Sequence, residues 1–173
     1  MISNETLIPI AVEILKGYSL KPEGVHGIGH WGRVMENGVG LAALTGANLR
    51  VVQLFALFHD SRRVNDAVDP GHGQRGAALA GEMNGRLFTL PANELALLKD
   101  VCLRHTKGLT AADITVQTCW DADRLDLPRV NIFPAPALLC TGPARDPAFM
   151  DSAGQRSMAN HLTGFAIELG KLL

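Results

Sequence analysis

The apolar positions of this chain recur at helical spacing along most of its length. Residues 5–16 repeat Ile8, Val12 and Leu15, and Pro9 fits such a helix only within its first turn. After the glycine-rich KPEGVHGIGH, residues 28–45 place His30, Val34, Leu41 and Leu44 on one face. Val51 to Phe58 is apolar except for Gln53 and predicts a third helix, buried on most sides, that ends at His59 and Asp60. SRRVNDAVDPGHG reads as a loop, and a fourth helix starts near His72. Pro91, as a first-turn proline, opens a fifth, whose stripe Leu95, Leu98, Cys102 continues onto His105. A sixth runs from about Val116 through TCWDADRLDL. Pro128, Pro134, Pro136, Pro143 and Pro147 then predict irregular chain or short helices, before a last helix from Ser152 to Leu172 with the stripe Met158, Leu162, Phe165 and Leu169.

VVQLFALF and ITVQTCW have the β-branched and aromatic content of strands, but no second alternating run with hairpin turn chemistry offers them a partner. The expected fold is therefore all-α, a single-domain bundle of about six to eight helices over 1–173. Its site would lie within about 26–127, and helix 152–172 would pack on the core. At 173 residues the chain can bury a substantial core. Its 16 Lys and Arg against 17 Asp and Glu, with no dense basic block, predict no nucleic-acid polymer as partner. A small phosphorylated ligand needs only a local group of cations. Cys102, Cys119 and Cys140, odd in number and in apolar settings, suit packed, reduced thiols, and no secretion signal or membrane span is evident, so the expected compartment is the cytoplasm.

Chemistry enters at ALFHD. An ionised carboxylate at the edge of a core costs several kcal/mol unless a cation or donors offset it. His30, His59, His72 and His105, with Asp60 and Asp123, all fall on inward faces or core edges of different predicted helices. Singly, each histidine is more simply a hydrogen-bonded core or surface residue. Together, these imidazoles and carboxylates make a site for a divalent ion that compensates Asp60.

The order of these residues resembles the HD-domain superfamily of metal-dependent phosphohydrolases. His30 in HWGRV is similar to that family's His-x-x-Arg-Val helix start, ALFHD to its apolar run ending in His-Asp, and DADRLD to its Ala-Asp-Arg-Leu element. HGQRGA and RHTKG place His72 and His105 where many members carry further histidines. The resemblance implies His30, His59, Asp60 and Asp123 as metal ligands. One ion is the expected number, with His72 and His105 flanking the substrate phosphate; the alternative is that these two histidines ligate a second ion.

A mixed nitrogen and oxygen set suits Mn, Fe, Co, Ni or Zn better than Mg. Such a site implies hydrolysis of a phosphate ester, with His72 or His105 serving the phosphate or the departing oxygen, and Arg62 or Arg63, with Lys107 behind them, supplying positive charge. Only one of the two arginines need face inward. Asp121 and Asp126 read as helix-surface charges, Asp121 also as a partner that orients a ligand histidine, and His26 as structural. Packing is the simpler role for Trp31 and Trp120. An acidic pair after His-Asp, as in stringent-response hydrolases, is missing: those positions hold Arg63 and Val64. The expected activity is hydrolysis of a small phosphorylated metabolite, most naturally a nucleotide. A di-iron oxygenase of HD type, or a metal-binding module without catalysis, is the alternative. Such helical domains often pair as homodimers.

Overall fold

The structure is a computed structural model that describes residues 1–107 and 109–173. Among these residues it is all-helical, with eight α-helices: α1 (Asn4–Leu15), α2 (Ile28–Thr45), α3 (Leu49–Phe58), α4 (His72–Met83), α5 (Ala92–Arg104), α6 (Ile114–Arg124), α7 (Pro147–Met158) and α8 (Gly164–Gly170). Three short 3₁₀ turns fill the proline-rich stretch between α6 and α7. One isolated bridge, Asn84 to Phe88, is the nearest approach to β-structure among the described residues. Among the described residues no helix is long and apolar enough to cross a membrane.

Capping residues set the starts. The Asn48 side chain accepts from the backbone N–H groups of Arg50 and Val51 at the head of α3, Asp113 from Thr115 at α6, Asp146 from Phe149 at α7 and Thr163 from Ala166 at α8. Gly46, at φ 74°, ends α2 in the left-handed conformation that glycine tolerates. Helix α3 lies at the centre, packed by α1, α2, α4, α5 and α6, and every residue from Val51 to Phe58 is buried. One apolar cluster joins helices α1 to α8, with Trp31, Trp120, Phe55 and Phe58 as its largest members.

Four expectations are corrected. Helix α1 starts at Asn4, so Pro9 falls in its second turn; its ring is exposed and the carbonyl four residues back, on exposed Glu5, is left to solvent. The core face of α1 is Leu7, Ile8, Ile10, Ala11 and Ile14; Ile8 lies on it as expected, whereas Val12 and Leu15 stand one step round and are half-buried. Leu44 is exposed rather than inward, because the last turn of α2 runs past the core. The segment 152–172 is two helices rather than one: Asn160 takes a positive φ of 49° and Thr163 caps a new start. Met158 and Leu162 flank that break and are exposed, whereas Phe165 and Leu169 of α8 are buried, with α8 against α1 and α2.

Helix α4 packs unusually close to its neighbours. A Cβ on Gly76 would lie 2.2 Å from the Phe58 carbonyl oxygen, and one on Gly73 2.2 Å from that of Cys102. Backbone cannot yield as a side chain does, so Gly76→Ala must push α4 off α3. We expect a loss of about 1–3 kcal/mol, read as a fall in the midpoint of thermal unfolding. An unchanged midpoint would show that α4 relaxes freely.

Candidate metal centre

Five segments deliver the polar groups to one place. His30 comes from the first turn of α2, His59 and Asp60 from the end of α3, His72 from the start of α4, His105 from the end of α5 and Asp123 from the last turn of α6. All are buried except Asp123, whose side chain is 18% exposed and marks the solvent side.

Two triads share one carboxylate. His30 and His59 bring their Nε2 atoms to 3.0 Å of each other, and Asp60 Oδ2 lies 3.7 and 3.8 Å from them. Asp123 Oδ1 closes this group at 3.5 Å from His30 and 3.7 Å from His59. On the other side, His72 and His105 bring Nε2 to Nε2 at 2.9 Å, and the second oxygen of Asp60, Oδ1, lies 3.2 and 3.7 Å from them.

The tautomers follow from the partners of the other ring nitrogens. His30 Nδ1 faces Asp126 Oδ2 at 2.7 Å, His59 Nδ1 the Phe55 carbonyl at 3.1 Å, His105 Nδ1 the Cys102 carbonyl at 2.7 Å, and His72 Nδ1 the Asp69 carbonyl. Each partner can only accept, so each Nδ1 carries the proton and donates it. In the neutral ring, Nε2 is then a bare lone pair. Lone pairs that face each other at 3 Å inside a protein repel, unless a proton or a cation lies between them. With Asp60 and Asp123 the site holds two carboxylates against one nearby guanidinium, Arg63. These residues fit a divalent cation in either triad.

Electrostatics agree. Burial holds the His30 and His59 imidazoles below their ordinary range, His59 down to about 3 even though Asp60 and Asp123 pull the other way. Both are neutral, as a ligand must be. Burial would also lower His105, but its contact with Asp60 and the field of Asp123 outweigh it and raise the group. Burial pushes the Asp60 and Asp123 carboxyls up, and the surrounding imidazoles overcome it and hold both ionised.

Arg63, not Arg62, faces the centre. It is buried, with Nη1 3.4 Å from Asp60 Oδ1 and 3.3 Å from His72 Nε2. Arg62 turns back to donate to the Ile14 carbonyl at 2.8 Å, and Lys107 is exposed. The connecting loop is held by Asp69, whose carboxylate accepts from Val64 N–H and from Arg75.

Two participants differ from expectation. Asp126, not Asp121, orients a candidate ligand histidine: it is fully buried, accepts from His30 Nδ1 and takes a fork from Arg33 at 2.6 and 3.1 Å. Asp121 is also fully buried, but it accepts from Cys140 N–H, Thr141 N–H and Thr141 Oγ1, tethering the proline-rich segment to α6. His26 reaches the centre rather than a merely structural position, with Nδ1 2.7 Å from Asp60 Oδ2. No spacing could have indicated it, because His26 lies in irregular chain before α2. Trp120 is core, its indole N–H aimed at the Val101 carbonyl, and the three cysteines are buried free thiols.

No family model, no curated protein and no solved structure matches this chain.

Proposed function

We propose that this chain is a metal-dependent phosphohydrolase of HD type acting on a small phosphorylated metabolite, with two transition-metal ions held on either side of Asp60. The observation that carries this reading is the division of Asp60: Oδ2 faces the His30, His59, Asp123 group while Oδ1 faces His72 and His105. Ions held there supply Lewis acidity, toward water and toward phosphoryl oxygens. The chain's own residues do the rest. His59, His72 and His105, fixed through Nδ1 by backbone carbonyls, hold their Nε2 atoms in place. Arg63 sets a guanidinium beside Asp60, where charge on a phosphoryl group would need it. Asp123, the least buried of the proposed ligands, faces the side from which substrate enters. His72 and His105 thus act as ligands rather than as free acids or bases.

That commitment of both histidines also favours a second reading, a di-iron oxygenase with the same six groups. Elemental analysis of protein purified without added metal separates the two. About two equivalents of Mn, Co, Ni, Zn or Fe, with phosphate-ester turnover lost on chelation and restored by readdition, is the expected result. Two equivalents of iron with oxygen consumption and no ester turnover would favour the oxygenase. Failure to hold metal after reconstitution would sink both.

A further inference from the structure

One buried polar atom beside the centre has no partner of its own. The Tyr18 hydroxyl is shielded from solvent and makes no hydrogen bond. Its position follows from two contacts. Arg62, two residues beyond Asp60, donates to the Ile14 carbonyl at 2.8 Å and to the Ser61 carbonyl at 2.9 Å, which ties the end of α1 to the turn that carries Asp60 and Arg63. The Tyr18 ring stands edge-on to Trp31, the residue after His30, with centroids 5.3 Å apart. The phenol is thus wedged between the start of α2 and the turn after α3. Asp60, Asp66 and Arg63 are the charged groups whose fields act on its hydroxyl. Burial, with Asp60 and Asp66 adding to it and Arg63 opposing, pushes the phenol well above its ordinary range, so it keeps its proton and remains a donor.

A donor shut away from water without an acceptor costs free energy, and such groups in folded proteins mark a missing partner. Tryptophan's indole N–H in the same aromatic pair is likewise unpartnered. A phenol adds no charge, so it can receive an anion beside Asp60 without competing for the cations that Asp60 requires. We propose that the Tyr18 hydroxyl is a substrate-binding group of this centre, donating to a non-bridging oxygen of the phosphoryl group next to Arg63. This rests on the phosphohydrolase reading and adds a residue to it that no motif indicates.

Tyr18→Phe tests it, since the ring that packs on Trp31 is kept. The probe is inorganic phosphate, titrated by calorimetry into metal-loaded parent and variant, with metal content and thermal midpoint measured on both. We expect phosphate affinity to fall roughly tenfold or more, the worth of one hydrogen bond to a charged acceptor. Metal content should stay at the parental level. The midpoint without phosphate should be unchanged or raised, because the variant loses no existing bond. Equal affinity in parent and variant would overturn the inference and leave the phosphohydrolase reading standing, and a lowered midpoint with equal affinity would make Tyr18 structural, satisfied by an internal water. If the metal-loaded parent binds no phosphate, both the inference and the reading beneath it fall.

Discussion

Asp60→Asn should remove metal from both triads at once, whereas Asp123→Asn should empty only one. Asp60 alone presents an oxygen to each group, Oδ2 to His30 and His59 and Oδ1 to His72 and His105, while Asp123 approaches His30 and His59 only. The amide keeps the size of the side chain but brings an NH₂ donor and no charge to a place that needs two anionic oxygens. Measured by elemental analysis, Asp60→Asn is expected to fall from about two equivalents of metal to well under one, and Asp123→Asn to about one. Ester turnover in Asp60→Asn should fall by about 10³-fold or more, since metal electrostatics are worth several kcal/mol at the transition state. Equal metal loss in the two variants would show that the shared carboxylate does not organise the centre.

Asp126→Ala should cost more stability than any change at the protein's surface. Asp126 is fully buried, and Arg33, which forks onto it, is 4% exposed. Removing the carboxylate leaves a guanidinium shut in the core with the His161 carbonyl as its remaining hydrogen-bond acceptor, and releases His30 Nδ1. Breaking a buried pair from one side costs about 3–5 kcal/mol, or roughly 6–20 °C in the thermal midpoint for a chain of this length. The pH dependence has a definite sign. Burial pushes the Asp126 carboxyl up, but His30 and Arg33 outweigh it and bring the group from its ordinary 3.8 down to about 2. A depressed carboxyl stabilises the fold above its unfolded value and loses that contribution as pH falls toward the folded one. The parent should therefore lose about 2 kcal/mol between pH 5 and 2 on this account, and Asp126→Asn should lack that part of the slope. A variant as stable as the parent at pH 7 would mean that Arg33 finds another acceptor.

The helices were legible because their apolar residues are periodic. Positions 28–45 and the run ending at His59 were read at or close to their true bounds, and the convergence of His30, His59, Asp60, His72, His105 and Asp123 followed from placing each at a helix end or on an inward face. What escaped depends on chain direction outside helices. Asp126 lies just past the end of α6, three residues on from Asp123, and its turn onto Arg33 and His30 depends on partners from α2 that the local sequence does not name. His26 sits in irregular chain before α2. The break at Asn160 was hidden because an amphipathic stripe survives a short interruption in sequence although the axis does not. Which arginine faces inward was settled by the Ile14 carbonyl, a tertiary partner 48 residues away.

The carbonyls that receive the imidazole protons belong to the last turns of their own helices: Phe55 in α3 for His59, Cys102 in α5 for His105. Terminal carbonyls of a helix ordinarily have no partner within it and turn to solvent or to a capping residue. At Cys102 one bond both closes α5 and aims the His105 ring, so architecture and chemistry draw on the same atoms, whereas the Phe55 carbonyl also accepts the backbone N–H of His59. An alanine at His105 would therefore loosen the end of α5 as well as delete a candidate ligand, and any lost activity would measure the two together. Chemistry alone is isolated only by a replacement that still donates to that carbonyl.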